Sequence, residues 1–407
     1  MPGIKVLCKN PEQILRVRAI AVMKDRCVDI GVFRERRGKT TQEKEKTMAV
    51  TKRLFDTLAD GRAVDLYSIT NQNGMCVEIM TYGANIVNLF LPDKNGGKVD
   101  ITMGYDTIEP YTVNTDNFGA TIGPNCNRIA NASFSLEGKT IQMAVNDGVN
   151  NLHSDAKLGM SKKLWDAQTT EDSVIFSVRV EDGEVGLPGN KVVRLTYTLT
   201  DENELKLHYE GKSDRNTIMN LTNHAYFNLS GHAAGSIHDS VLWVNASRFT
   251  EVREGGIPTG KILPVAGTAL DFTEPKPIGR DIDGDDVQTK LVGGYDHNWV
   301  LDDWDGQVRL AARLTDEKAN RQMEVYTNLP GMQIYAGNFI GKQAAKDGAV
   351  YEPRMGIAME TQFFPDAPNH ENFPSTVFGP DRQYDSTTIY KFIFNKSKCI
   401  NERSAMH

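Results

Sequence analysis

The sequence predicts an all-β fold, a large antiparallel β-sandwich, for most of its 407 residues. From about residue 50 onward, runs of four to nine residues alternate between apolar and polar side chains, which is the period of a half-buried strand. Turn-forming pairs separate these runs, and long amphipathic helices are hard to find. These three observations favour antiparallel sheets over a row of βαβ units.

Two runs show the alternation most clearly, VVRLTYTLT at residues 192–200 and ELKLHYE at residues 204–210. In both runs the apolar side chains are predicted to share one face of a sheet: Val193, Leu195, Tyr197, Leu199, Leu205, Leu207 and Tyr209. The runs VIFSVRV, VLWV, VRLAARLT, QMEVY, MQIYA and TIYKFIF predict further strands. Four pairs are expected to form hairpin turns: Asn73-Gly74, Glu137-Gly138, Asp182-Gly183 and Asp305-Gly306.

The chain is predicted to contain one folded domain, residues 49–400, because no linker divides the alternating runs. Residues 1–48 differ in composition, with a net charge of +6 that leaves −13 for the remainder. A segment so rich in charge and poor in aromatic residues buries too little apolar surface to fold alone. We expect a basic, disordered or non-catalytic extension there, with a basic arm that touches a partner as the alternative.

Charge and hydropathy exclude several classes of protein. The net charge is −7 and the sequence pI is about 5.7, which argues against a nucleic-acid partner. No window holds the ~18 consecutive apolar residues of a membrane span, and basic residues interrupt every N-terminal apolar run that could serve in a secretory signal. The sequence therefore predicts neither a nucleic-acid nor a membrane partner.

The cysteine content and the absence of several sequence motifs exclude further kinds of functional site. The five cysteines are widely spread without a CxxC pair, so a disulfide scaffold and a structural zinc site are both disfavoured. Such sparse thiols predict a cytoplasmic protein. The sequence also lacks GxGxxG, GxxxxGK[ST] and GxSxG, so dinucleotide, P-loop and nucleophile-elbow chemistry are not supported.

Five polar motifs interrupt the apolar strands and supply the candidate functional residues. They are GPNCNRIANASF with Asn127 and Arg128, NLHSD with His153, TNHAYFNLSG with His224, GGYDHNWVL with Asp296, and AMETQFFPDAPNH with Glu360. Each has a structural alternative: a turn for the Asn–Arg pair, hydrogen-bonded structural histidines, and carboxylates that face solvent. A buried Glu360, however, would have the raised pKa that suits a base near neutral pH. Together these groups support proton transfer on a neutral polar substrate, with Trp299 and Phe364 as aromatic rings that could stack on a sugar.

Six segments occur in the order seen in the aldose 1-epimerases, the galactose mutarotases: NRI, NLH, TNHAYFNLSG, GYDHNWVL, PGMQIYAGNF and ETQFFPDAPN. The sequence resembles that family over roughly residues 52–397. The resemblance implies a galactose mutarotase-like β-supersandwich that interconverts α and β anomers of free aldohexoses by opening and reclosing the ring.

The resemblance also implies a role for each candidate residue. Glu360 matches the general base and His224 the general acid, while Arg128, Asn127, His153 and Asp296 match residues that bind sugar hydroxyls. Neither a cofactor nor a metal is expected, and the protein would act as a monomer or homodimer.

One departure and three alternatives accompany this prediction. The family commonly shows LHGG where this chain has LHSD, so Ser154 and Asp155 replace two glycines. That change leaves the loop geometry at His153, and the sugar preference, open. The alternatives are a hexose-6-phosphate 1-epimerase, a non-catalytic carbohydrate-binding protein on the same fold, and a glycosidase that uses Asp296 as a second carboxylate.

Overall fold

The computed structural model describes residues 49–113 and 115–394. All of them belong to one compact unit. The extension predicted at residues 1–48, and the end of the predicted domain at residues 395–400, lie outside the described residues. No helix in the described part of the chain is long and apolar enough to cross a membrane.

Strands dominate the described residues. The first half of the chain contributes β1 Ala49–Thr57, β2 Ala63–Thr70, β3 Cys76–Met80, β4 Ile86–Pro92, β5 Lys98–Asp100, β6 Thr121–Ile122, β7 Arg128–Ile129, β8 Ser133–Leu136, β9 Lys139–Gln142, β10 Asn151–Leu152, β11 Asp166–Thr169, β12 Ser173–Val180, β13 Lys191–Leu199 and β14 Glu204–Ser213. The second half contributes β15 Thr217–Ile218, β16 Thr222–Asn223, β17 Tyr226–Phe227, β18 Val241–Val244, β19 Arg248–Arg253, β20 Ile257–Pro264, β21 Lys276–Pro277, β22 Asp296–Val300, β23 Arg309–Asp316, β24 Arg321–Thr327, β25 Gly331–Tyr335, β26 Gln343–Ala344, β27 Val350–Tyr351, β28 Ile357–Gln362, β29 Val377–Phe378 and β30 Tyr384–Phe394.

Helical segments in the described residues are short. The α-helices are α1 Ile108–Val113 and α2 Val287–Leu291. Single 3₁₀ turns lie at Ala130–Ala132, Met160–Lys162, Glu184–Gly186, Ile278–Arg280, Lys346–Gly348 and Ala367–Asn369. The prediction of an all-β fold is therefore confirmed.

Two large antiparallel sheets form the body of the sandwich. One has nine strands in the order β11-β12-β13-β14-β30-β24-β23-β18-β21, and the other has six in the order β17-β28-β25-β22-β19-β20. They meet face to face where the hydroxyl of Tyr390 on β30 donates to the carbonyl of Met359 on β28, and where the Phe227 ring packs on Tyr390. A five-stranded sheet, β1 to β5, adds a further layer of strands.

The predicted alternation is confirmed in β13 and β14, where all seven apolar side chains named above are buried. These strands pair in register, with Leu195 opposite Tyr209 and Tyr197 opposite Leu207. Because successive side chains in a strand point to opposite faces, the apolar set lies in the core between the sheets.

Two of the four predicted hairpin turns are correct. Glu137 and Gly138 join β8 and β9 as a two-residue loop with φ of 52° and 75°, the left-handed backbone that such a loop requires. Asn73-Gly74 lies in the short connection between β2 and β3.

The other two turn predictions are wrong. Asp182-Gly183 belongs to a ten-residue connection, since Val180 pairs directly with Lys191 across it. Asp305-Gly306 lies between β22 and β23, which belong to different sheets. A turn-forming pair favours a local reversal of the chain, but it determines neither the length of the connection nor whether the next strand joins the same sheet.

Candidate active site

Strand β28 carries Glu360 on the face of the six-stranded sheet that points away from the sandwich core. All six residues of β28 are buried, so both faces of the strand are covered. Alternation places Ile357, Met359 and Thr361 toward the nine-stranded sheet and leaves Glu360 on the opposite face. Glu360 is nevertheless only 2% exposed. Of the two carboxylate oxygens, Oε2 has no hydrogen-bond partner among the described residues.

Asp296 begins β22 and is held by groups on two other strands. Gln333, on β25 between β22 and β28, donates from Nε2 to Asp296 Oδ1 at 2.7 Å. Gln333 also lies directly opposite Glu360 in the strand register. The second oxygen, Asp296 Oδ2, faces the Arg128 guanidinium at 3.5 Å. Both oxygens of Asp296 therefore have partners, which fixes the orientation of the carboxylate.

Arg128 lies at the start of β7 and bridges two carboxylates. Its Nε donates to Asp147 Oδ2 at 3.0 Å, while its NH1 group faces Asp296. Burial opposes the charge, but Asp296 and Asp147 outweigh it and raise the pKa of Arg128 above its usual value. The guanidinium is charged and already paired, so it adds no net positive charge to the site.

His153 follows β10, the strand that pairs with β7, and its ring is fixed by the Arg128 segment. The backbone N–H of Asn127 donates to His153 Nδ1 at 3.1 Å. Burial, followed by the neighbouring His224 and Arg128, lowers the pKa of His153 well below its ordinary value. The ring is therefore neutral, and because Nδ1 accepts a hydrogen bond, its proton lies on Nε2. His153 presents a hydrogen-bond donor.

His224 lies between β16 and β17, next to Glu360. Its Nε2 is 3.5 Å from Glu360 Oε1, and its side chain is only 6% exposed. The ring centroid lies 5.4 Å from that of His153 and 5.0 Å from that of Tyr226. The distance to Glu360 is longer than an ordinary N–H···O hydrogen bond, so the two groups face each other closely without a strong bond.

Burial determines the charge state of this pair. Desolvation, and then Asp296, raise the pKa of Glu360 well above its ordinary value, although Arg128 opposes the shift. Desolvation lowers the pKa of His224 to about 4. Both shifts disfavour separated charges, so the protein environment favours a neutral carboxyl beside a neutral imidazole over an ion pair. The arrangement provides a proton donor and a proton acceptor on adjacent atoms.

The family model for aldose 1-epimerase matches residues 65–391 of this sequence. The chain belongs to the aldose 1-epimerase family. Galactose mutarotase from Bos taurus is 38% identical over 347 residues, which cover 85% of this chain and 99% of that protein. Aldose 1-epimerase from Escherichia coli K12 is 34% identical, with 82% of this chain and 96% of that protein covered.

Solved structures of the same family share the fold. An aldose epimerase homologue from C. elegans superposes with a TM-score of 0.75 at 29% identity, and the match covers 81% of this chain and 99% of that one. A galactose 1-epimerase from Lactobacillus acidophilus gives the same TM-score at 26% identity, with 86% of this chain and all of that one covered. The predicted mutarotase-like sandwich is therefore confirmed.

In this aldose 1-epimerase fold, the structure brings five of the six predicted residues into one polar cluster: Arg128, His153, His224, Asp296 and Glu360. Asn127 lies at its edge, and its side chain serves the turn there. Its Oδ1 accepts from the backbone N–H of Arg128 at 2.8 Å, and its φ is 61°. Asn127 also provides the N–H that fixes the His153 ring.

One partner in the cluster, Gln333, did not emerge from the sequence. It lies inside the PGMQIYAGNF segment, where a single amide among apolar residues looks like the solvent-facing position of an ordinary strand. The position of Gln333 in the strand alternation was the feature of the sequence that could have identified it. In MQIYA, alternation puts Gln333 and Tyr335 on one face, and the structure shows that this face carries the cluster.

The prediction that Trp299 stacks on a sugar is wrong. Trp299 is fully buried, and its indole N–H donates to the carbonyl of Leu270 within the core. Alternation along β22 explains its position, because Asp296 and Trp299 are three residues apart and point to opposite faces. Phe364 packs against Phe373, and its stacking on a sugar stays a prediction.

Two histidines and a carboxylate also make this cluster a candidate metal centre. Ligand atoms of His153, His224 and Glu360 lie within 4.8 Å of one another, and two histidines with one glutamate form a known zinc-binding set. The hydrogen bond from Asn127 to His153 Nδ1, however, leaves the proton on Nε2. That nitrogen is a donor without a free lone pair, so the cluster suits hydrogen bonding to a polar ligand better than metal coordination.

Proposed function

We propose that this protein interconverts the α and β anomers of free aldohexoses, galactose and glucose among them, and that Glu360 and His224 transfer the protons. The main support for this proposal is the buried Glu360–His224 pair, because a base and an acid must flank the anomeric centre to open a sugar ring. The family of the chain and its curated relatives, which include galactose mutarotases, support the same substrate class.

The proposed reaction keeps one proton within the pair. Glu360, as carboxylate, takes the proton of the C1 hydroxyl while protonated His224 gives its proton to the ring oxygen, and the bond between C1 and that oxygen breaks. The open aldehyde rotates about the C1–C2 bond. Its other face is then attacked by the C5 hydroxyl, whose proton returns to His224, while Glu360 gives its proton to the new C1 hydroxyl.

This cycle alternates between an ion pair and the neutral pair. Because burial favours the neutral pair, the protein environment stabilises the state that accompanies the open sugar. No external acid, base or cofactor is required. The remaining predicted residues bind the sugar: His153 donates from Nε2, and Arg128, Asp296 and Asn127 hold hydroxyl groups.

The charges at the site favour this function over the alternatives. A phosphosugar would need uncompensated cations, whereas Arg128 is paired with both Asp147 and Asp296. A glycosidase would need Asp296 as a second active carboxylate, but both of its oxygens have partners. A binding protein would have no use for a buried acid and base that face each other.

The wider properties of the chain are proposals of the same kind. We propose that residues 49–400 form the catalytic domain and that residues 1–48 are a non-catalytic extension. We also propose that the protein is cytoplasmic, in line with the free thiols of Cys76 and Cys126. We propose that it acts as a monomer or homodimer.

Polarimetry tests the proposed function. Freshly dissolved α-D-galactose and α-D-glucose should reach their usual final rotation faster when the protein is present. Galactose 6-phosphate and glucose 6-phosphate, followed in parallel by NMR of the anomeric protons, should show much smaller acceleration. Sugar binding in calorimetry without acceleration would contradict the enzyme assignment, and a preference for the phosphates would contradict the free-sugar assignment.

The pH dependence should reflect the shifted pKa values of the pair. Activity requires one proton on the pair, and a second proton reaches His224 only near its lowered pKa of about 4. We therefore expect kcat/KM to stay level down to about pH 5 and then to fall. At high pH it should fall as Glu360, whose pKa is raised, loses the remaining proton. An activity that already declines below about pH 6, with the circular dichroism spectrum unchanged, would contradict a lowered His224 pKa.

A further inference from the structure

The loop after β10 carries the departure from the family's glycine pair, and Ser154 lies at its centre. Ser154 is fully buried, with a φ of 69°, and His153 before it has a φ of 57°. Two consecutive non-glycine residues in the left-handed region are strained. A serine at this position therefore needs a compensating contact.

The Ser154 hydroxyl makes two hydrogen bonds to a single residue in the neighbouring segment. Its Oγ accepts from the backbone N–H of Asn125 at 2.9 Å and donates to the carbonyl oxygen of Asn125 at 2.9 Å. The Ser154 carbonyl in turn accepts from Asn151 Nδ2 at 2.6 Å. A glycine offers no side chain for the first two contacts, so both of these bonds between the two segments depend on the serine hydroxyl.

These contacts lie beside the hydrogen bonds that orient His153. The Asn127 N–H donates to His153 Nδ1 at 3.1 Å, and the His153 N–H donates to the Asn127 carbonyl at 3.2 Å. The two loops are thus joined at residues 125 and 127 on one side and at residues 153 and 154 on the other. Loss of the Ser154 contacts would let the His153 loop shift relative to Asn127.

We propose that Ser154 is a positioning residue for sugar binding, whose hydroxyl holds the His153 ring against the Asn127 N–H so that Nε2 points at the sugar. This inference rests on the proposed function for its substrate. Ser154 acts through His153, whereas Glu360 and His224 are placed by β28 and by the segment between β16 and β17. Removal of the hydroxyl should therefore weaken sugar binding more than proton transfer.

Ser154→Gly and Ser154→Ala test this role together. The glycine variant reproduces the family residue and relieves the backbone strain, while the alanine variant keeps the strain and removes only the hydroxyl. Both should raise KM for galactose roughly fivefold to tenfold, as expected for the loss of buried hydrogen bonds, with kcat within about twofold of wild type. The matched control is Asp155→Gly, because the Asp155 carboxylate accepts from the local backbone N–H groups of Lys157 and Leu158. The KM of this variant should stay within about twofold of wild type.

Nitrogen NMR of the histidine rings supplies a readout independent of activity. In wild type His153 should appear as the neutral tautomer with the proton on Nε2, and both Ser154 variants should shift its Nδ1 resonance as the bond from Asn127 weakens. Unchanged KM and unchanged His153 resonances in both variants would overturn the proposal, as would a fall in kcat at constant KM. If wild type fails to accelerate mutarotation, the proposed function fails, while the resonances still decide the role of Ser154 in positioning His153.

Discussion

Glu360→Gln is expected to lower kcat for anomer interconversion by about 10²- to 10⁴-fold and to change sugar affinity by less than about threefold. Glutamine keeps the size of the side chain and its place on β28, but it cannot accept the proton of the C1 hydroxyl. The site is already arranged for an uncharged group, since burial favours protonated Glu360. The amide should therefore cost little stability.

The measurement combines polarimetry with calorimetric titration of galactose. Glu324→Gln is the matched control, because Glu324 is also a buried glutamate but lies on β24 and pairs with Arg313. We expect the control to lose stability and keep kcat. A Glu360→Gln protein with near-wild-type turnover would remove Glu360 from the proposed mechanism.

Sequence alternation predicted the strands of this fold better than their connections. In β13 and β14 the apolar phase is unambiguous, because one face meets the core and the other meets polar surroundings. Asp305-Gly306 failed as a hairpin because strand pairing is decided by long-range packing, which places β22 and β23 in different sheets. Asp182-Gly183 lies between strands that do pair, but the connection is ten residues long and not a tight turn. A turn-forming Asp-Gly pair can follow a strand in one sheet and precede a strand in another sheet.

The residues of the candidate site could be predicted from sequence motifs, but strand alternation alone could not show which of them are buried together. Glu360 in IAMET could have faced solvent, since alternation alone gives two faces and no indication of which is covered. Its burial depends on the segments that carry Arg128, His153 and His224, all distant in sequence. Gln333 was missed for the same reason, as its role requires the register that sets β25 between Asp296 and Glu360.

Trp299 shows that some errors were avoidable. Asp296 and Trp299 are separated by an odd number of positions in one strand, so they cannot share a face of a regular sheet. The two predictions for the GYDHNWVL segment were therefore incompatible from the start. The polar residue was the better choice, because a tryptophan in a sandwich strand buries a large apolar area in the core.

His224→Ala is expected to lower kcat by about 10²- to 10⁴-fold as well, since it removes the group that protonates the ring oxygen. The control is His208→Ala, because His208 lies on β14 and pairs with Asp385 away from the cluster. Added imidazole should restore part of the activity, because the truncation opens space beside Glu360 for a diffusible proton donor. Activity of His224→Ala within about threefold of wild type would exclude His224 as the acid.

The double variant Glu360→Gln/His224→Ala separates a shared proton from two independent groups. If one proton passes within the pair, either single substitution stops the cycle, and the second has little left to remove. We expect the double variant to be within about tenfold of the slower single variant. Multiplicative losses, measured against the spontaneous mutarotation rate and with thermal unfolding as a check on folding, would show that Glu360 and His224 act separately. The 3.5 Å contact between them would then be only a structural proximity.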